Sequence, residues 1–181
     1  MHTPDFVAVG HLCCDIVDSR RILGGSASYA GLTARALGRR TAILTAVAED
    51  FPFLDVLYGM DIKNAGSPST TTFRNIYSRG VREQVISDRA RPLRPEDVPS
   101  EWTGVEIVYL CPIAHEITPE IISRFRGSLI GVGAQGWFRE WDETGRVTAT
   151  AWESAVPVAK RVEAVIYSEL DTNEPYGLAE E

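Results

Sequence analysis

The chain has 181 residues, 44% of them hydrophobic and 24% charged, with a formal net charge of −7; this is the composition of one globular domain with a real core, not of a disordered segment. The acidic balance disfavours a general nucleic-acid binder, which presents a basic face to phosphates. The start Met1-His2-Thr3-Pro4-Asp5 lacks a secretory n-region and no apolar run approaches bilayer length, so the expected location is cytoplasmic, with neither membrane nor nucleic acid as partner.

The run Phe6 to Cys14 is small and apolar with few charges, as in a strand buried on both faces of a parallel sheet, and places Asp15 near its C-terminal end. Gly24-Gly25 then open a small-residue segment, Ser26 to Leu37, with Tyr29, Leu32, Ala36 and Leu37 at helical spacing before Gly38 stops it. Thr41 to Val47 is a second buried strand, so the opening is a βαβ unit with a right-handed crossover. Between Thr70 and Arg89 the pattern alternates around Ser78-Arg79-Gly80, which predicts a hairpin, Thr72 to Ile86, exposed on one face. Six arginines fall close together here, Arg74, Arg79, Arg82, Arg89, Arg91 and Arg94, and a solvated strand face is the ordinary reading of such a run. Pro92, Pro95 and Pro99 mark a linker back to the core. Glu106 to Cys111, Ser128 to Val132 and Val162 to Tyr167 are three more strand candidates, and Pro119 to Phe125 is a predicted short helix with Thr118 as its N-cap.

The candidate chemistry gathers at strand ends, where open α/β sheets bind small molecules. A carboxylate at Asp15 can accept hydrogen bonds from vicinal hydroxyls, and glycines at a loop-to-helix junction allow a ligand close to the backbone. Each also has a structural reading, as a capping residue and a tight turn. Gly131-Val132-Gly133-Ala134-Gln135-Gly136 matches GxGxxG after a predicted strand, the pattern of a dinucleotide turn, which keeps a nicotinamide-dependent oxidoreductase as a minor alternative. The following Trp137 to Gly145 reaches a turn too soon for the helix such a turn opens, so the glycines are read as close-packing positions. The aromatics Trp137, Phe138, Trp141 and Trp152 read as core or interface anchors and not as a cofactor box. His115-Glu116 lacks the HExxH pattern or a third ligand, leaving Glu116 as a rim residue or substrate contact. Cys13, Cys14 and Cys111 have no metal or disulfide spacing.

The layout Val9-Gly10, Asp15, Gly24-Gly25 and Ala30-Gly31-Leu32-Thr33-Ala34-Arg35-Ala36-Leu37-Gly38 resembles the N-terminal half of PfkB/ribokinase-type carbohydrate kinases. The resemblance implies an α/β, ribokinase-like three-layer sandwich with a mostly parallel Rossmann-like sheet and a small β lid: one domain over 1–181, C-terminally truncated relative to the family, with the lid hairpin inserted at about 70–90. It implies a sugar or nucleoside acceptor held by Asp15, Gly24, Gly25 and Tyr29, and ATP with Mg²⁺ as donor in the complete enzyme. Ser168-Glu169-Leu170-Asp171 stands where the family carries Asn-x-x-Glu, so Ser168 and Asp171 are the expected cofactor contacts, with Asp171 reaching magnesium through water. Tyr29 replaces the asparagine of ribokinase itself, so ribose is not implied. No Gly-Ala-Gly-Asp, the family's anion hole and base, occurs up to Glu181. The expected function is therefore the substrate-side portion of a carbohydrate kinase, without its catalytic base; a non-catalytic sugar-binding or structural remnant is the alternative. A homodimer through the lid is expected.

Overall fold

The computed structural model describes residues 3–78 and 81–173. In chain order the elements are β1 (Phe6–Val9), β2 (Cys13–Val17), β3 (Arg20–Gly24), α1 (Ser26–Ala36), β4 (Thr41–Thr45), β5 (Asp61–Asn64), β6 (Thr72–Ser78) and β7 (Val81–Asp88). There follow β8 (Ile107–Leu110), β9 (Leu129–Gly133), β10 (Arg139–Trp141), β11 (Val147–Ala149), α2 (Ala155–Ala159) and β12 (Ala164–Ile166).

Six strands form an all-parallel sheet in the order β12-β9-β8-β1-β4-β5. Its central strands carry apolar side chains on both faces, as burial under two layers requires. Val7, Val9, Ala42 and Leu44 face one core with Ile121, Phe125, Trp137 and Trp152. Ala8 and Ile43 face the other, beneath Ala27 of α1. α1 has no Cβ at Gly31, where one would lie 2.8 Å from Ile43 Cδ1, so the helix sits close on the sheet.

The predicted strand Phe6 to Cys14 is in fact two. β1 ends at Val9, and Cys13 begins β2 in a different sheet, of order β3-β2-β6-β7. The reason is loss of sheet partners. A Cβ on Gly10 would stand 2.4 Å from the Cys111 carbonyl oxygen, so β1 and the end of β8 are already in contact there. Beyond that point the His11 amide donates to Glu116 Oε1 (3.1 Å) and the Leu12 amide to Thr45 Oγ1 (2.8 Å), side-chain acceptors in place of a strand. β2 and β3 then form a hairpin whose two turn residues, Asp18 and Ser19, both have positive φ (47° and 65°), as a tight antiparallel turn demands. The predicted hairpin is β6–β7, paired into this second sheet through a parallel β2–β6 contact; Arg79 and Gly80 of its expected turn lie outside the described residues. The short helix expected over Pro119 to Phe125 is present as a 3₁₀ helix, Pro119–Arg124.

Glu116 and His11 hold the crossing between the sheets. Both carboxylate oxygens of Glu116 accept from the Ile113 amide (3.0 and 2.9 Å), and Oε2 also takes the Ala114 amide at 2.7 Å. His11 Nε2 donates to the Arg91 carbonyl (2.9 Å), an oxygen that can only accept. Nδ1 therefore accepts from the Thr71 hydroxyl at 2.8 Å, whose oxygen in turn receives the Ala90 amide at 3.0 Å. Glu116 is 1% exposed, and removing it strands three amides away from water, each costing about 1–3 kcal/mol. The expected outcome for Glu116→Ala is a loss of about 3 kcal/mol or more, read as a lower urea midpoint with an unchanged slope. Glu116→Gln, which keeps one acceptor oxygen, should lose less.

Candidate functional site

A cavity of about 330 Å³ opens between the inner face of the four-stranded sheet and the start of α1. Strand alternation aims Cys13, Asp15 and Val17 of β2, and Phe73, Asn75 and Tyr77 of β6, into it. β7 adds Gln84 opposite Asn75 and Arg82 opposite Tyr77. The core contributes Ile113, Gln135 and Arg139 from beyond the ends of β8 and β9. Asp15 thus reaches the site from the second sheet, not from the end of a core strand as expected.

Burial pushes the Asp15 carboxyl above its ordinary value, against hydrogen bonds from the Asn75 amide and the Cys13 thiol and the fields of Arg82 and Arg139, which lower it. Gln84 Nε2 donates to Asn75 Oδ1 (2.8 Å), turning the Asn75 amide nitrogen toward Asp15. The Cys13 thiol is driven up, first by burial and then by the Asp15 charge, so it is an inert donor and not a nucleophile. Arg139, 8% exposed, is pushed down to about 10, mainly by burial and next by Arg82. The site is accordingly one half-buried carboxylate facing two guanidinium groups, with amides between.

The paired glycines act differently from expectation. Gly24 ends β3 opposite Cys13, and a Cβ there would lie 2.3 Å from Asp15 Oδ2. Its absence makes room for the carboxylate, so Gly24 shapes the site through Asp15. Gly25, the N-cap of α1, has φ +92° and lines the cavity, and a Cβ would meet the His11 carbonyl oxygen at 2.4 Å. Tyr29 lines the rim, 58% exposed. Glu116, a candidate substrate contact, is instead buried with its oxygens occupied by backbone amides. The GxGxxG glycines pack: a Cβ on Gly133 would touch the Tyr109 hydroxyl at 2.8 Å and one on Gly136 the Ile113 nitrogen at 2.3 Å. The strand runs into a 3₁₀ turn, Ala134–Phe138, not into a dinucleotide-binding helix.

Ser168 and Asp171 follow β12. Asp171 Oδ2 accepts the Ser168 amide and Oδ1 accepts from Gln135 Nε2, both at 2.9 Å, so Gln135 joins this turn to the Asp15 cavity. Mg²⁺ keeps several waters and is held by one or two carboxylates. Asp171, with lone pairs left on both oxygens, suits such an outer contact. Among the described residues no three His, Cys, Asp or Glu side chains gather to hold an ion directly. Among the same residues no helix is long and apolar enough to cross a membrane. Gln135, Arg82 and Arg139 were not singled out as ligand contacts in the sequence; Arg82 lay in a run that reads as solvated, and Gln135 inside a glycine motif.

No family model and no curated protein matches the chain. Solved structures do. A pyrophosphate-dependent kinase in the ribokinase family, complexed with a pyrophosphate analog and myo-inositol, superposes with a TM-score of 0.79 at 22% identity, over 97% of this chain and 66% of that one. The adenosine kinase of Sinorhizobium meliloti gives 0.57 at 17% identity, over 73% of this chain and 57% of that one. A microbiome-derived acarbose kinase gives 0.56 at 17%, over 92% and 70%. The chain spans 66%, 60% and 64% of the first three solved chains it matches. A parallel six-stranded sheet beside a smaller sheet that walls a polar cavity is, on this likeness, the fold of the ribokinase-family sugar kinases.

Proposed function

We propose that this chain forms the acceptor side of a carbohydrate kinase site, for phosphoryl transfer from ATP to a hydroxyl of a sugar, polyol or nucleoside. The observation that carries the reading is the half-buried Asp15 carboxylate, held by Asn75 and flanked by Gln84, in a cavity of about 330 Å³ beneath the second sheet. Ionised, Asp15 accepts hydrogen bonds from two neighbouring hydroxyls, while the amides of Asn75, Gln84 and Gln135 complement others. Gly25 and Tyr29 close the side nearest α1. Magnesium-bound ATP, where present, supplies the phosphoryl group, and Asp171 would touch the ion through water. Phosphoryl transfer rests on positioning and charge stabilisation, and the residues of this chain provide the positioning of the acceptor. We propose that the base and the anion hole are not among them.

The outer face of the four-stranded sheet leaves Ile76 45% exposed, opposite in direction to Asn75 and Tyr77, and β3 and β7 are its edge strands. Open edges and an exposed apolar side chain on the outer face invite a second copy, and we propose a homodimer there. Sedimentation should show a dimer that Ile76→Lys weakens; a monomer at high concentration refutes it.

Asp15→Ala should weaken acceptor binding by roughly 10- to 100-fold, the worth of a charge-assisted hydrogen bond, in calorimetry across sugars, polyols and nucleosides; unchanged binding would overturn the site. Stability should move the other way. Because the folded-state pKa of Asp15 lies above its unfolded value, the folded state binds the extra proton and stability falls as pH rises through that window. Asp15→Asn should therefore raise the urea midpoint at pH 7, with the gain shrinking as pH falls toward the unfolded carboxylate value near about 3.9.

Purified chain given ATP and magnesium should bind acceptor yet turn over very slowly, because a missing general base forfeits roughly 10²- to 10⁴-fold in rate. Robust turnover abolished by Asp15→Ala or Asp171→Ala would place a base within these residues.

A further inference from the structure

Two arginines in the Asp15 cavity are not accounted for by hydroxyl recognition. Arg139 is buried to 8% exposure, and its Nη1 donates to the Ile113 carbonyl at 3.1 Å. Its guanidinium also lies 5.4 Å from the centre of the Phe73 ring. Among the described residues no carboxylate comes within ion-pair distance of either Arg139 or Arg82, since the four ion pairs found use Arg39, Arg40, Arg91 and Arg146. No buried side-chain nitrogen there lacks a partner, so the remaining Arg139 N–H groups are not sealed in the protein interior; the residue lines the Asp15 cavity and also a second one beside Trp137, Trp141 and Trp152. Arg82 stands across from it on β7, beside Tyr77, near enough for the two like charges to oppose one another. Among the described residues Asp15 is the one carboxylate of this cavity and faces both guanidinium groups, which leaves an excess positive charge there, in a chain whose net charge is −7.

We propose that the acceptor is an anionic polyol, one whose carboxylate or phosphate sits between Arg82 and Arg139 while its hydroxyls face Asp15. This rests on the kinase-acceptor reading above and narrows its substrate class. Planar guanidinium forks match the oxygen pairs of such groups and give the strong, charge-assisted kind of hydrogen bond. The anion would also remove the repulsion between the two arginines. Arg82 sits on the acceptor side: it belongs to β7, the strand that also presents Gln84 beside Asn75. The donor-side candidates, Ser168 and Asp171, instead follow β12 on the core sheet.

The test is calorimetry on the full chain with matched pairs: gluconate against glucitol, and myo-inositol monophosphate against myo-inositol. Inorganic phosphate and pyrophosphate serve as donor mimics. The anionic member of a pair should bind about tenfold or more tightly than its neutral partner. That preference should shrink with added salt and fall to about threefold or less in Arg82→Gln, an exposed position whose change leaves folding intact. Arg139→Gln, if it folds, should behave alike. Neutral polyols binding as tightly as the anions through Asp15 would overturn the inference while leaving the kinase reading standing. Pyrophosphate binding that depends on Arg82 and does not exclude glucitol would give the arginines to the donor, and also overturns it. Failure of every polyol, sugar and nucleoside to bind would overturn both.

Discussion

Everything in this structure that bears on a ligand hangs on one crossing, where the chain leaves the parallel sheet after Val9 and enters the smaller sheet at Cys13. Backbone amides stripped of a neighbouring strand need other acceptors if they are to stay buried. Glu116 supplies them from the far side of β8, with its two oxygens taking the amides of His11, Ile113 and Ala114. His11 then ties the same point to Thr71 and Arg91, the segments just before β6 and just after β7. Three chain passages between the sheets thus share one buried polar node. The site lies directly beyond it, so the placement of Asp15 relative to Gln135 and Arg139 is set by hydrogen bonds to groups that do not touch a ligand.

The same economy appears on the return path. Arg91, one of six clustered arginines, is not a solvated face residue. Its guanidinium pairs with Asp97 at 2.8 Å and also donates to the Ala65 and Gly66 carbonyls at 2.7 and 2.9 Å. It therefore fastens the linker after β7 to the loop before β6. The trio Trp137, Trp152 and Phe138 packs beneath β9, with the two indoles stacked 4.8 Å apart and the Phe138 ring edge-on to Trp152. This anchors the turn that carries Gln135 and Arg139. Aromatic burial there positions polar groups as well as stabilising the core.

The core strands β1, β4, β8, β9 and β12, and the helix α1, were legible in the sequence because apolar runs and helical spacing report burial locally. The β6–β7 hairpin was legible from alternation. β2 and β3 were not, since Cys13 and Cys14 continue the apolar run of β1 and the break is decided by Glu116, 105 residues away from His11. The Asp18-Ser19 turn between Ile16-Val17 and Arg20-Arg21-Ile22 was the local signal available. Asp15, Gly25 and Tyr29, singled out in the sequence, line the cavity, but the reason for Gly24 was not legible, because cross-strand contact is invisible without register. Glu116 was misplaced for a related reason: a polar residue near a strand end reads the same whether it faces a ligand or three amides.

Gly24 and Asp15 also bear on how this site can change over time. A methyl group at one position and a carboxylate at the other claim the same space, 2.3 Å apart. A chain that acquires any side chain at 24 must first shorten or move the acid at 15, and a chain that has lost the acid is released from glycine at 24. The two positions therefore form one heritable unit. Among relatives, a larger residue at 24 is expected to mark loss of the acid at 15, even where every other residue of the cavity is kept.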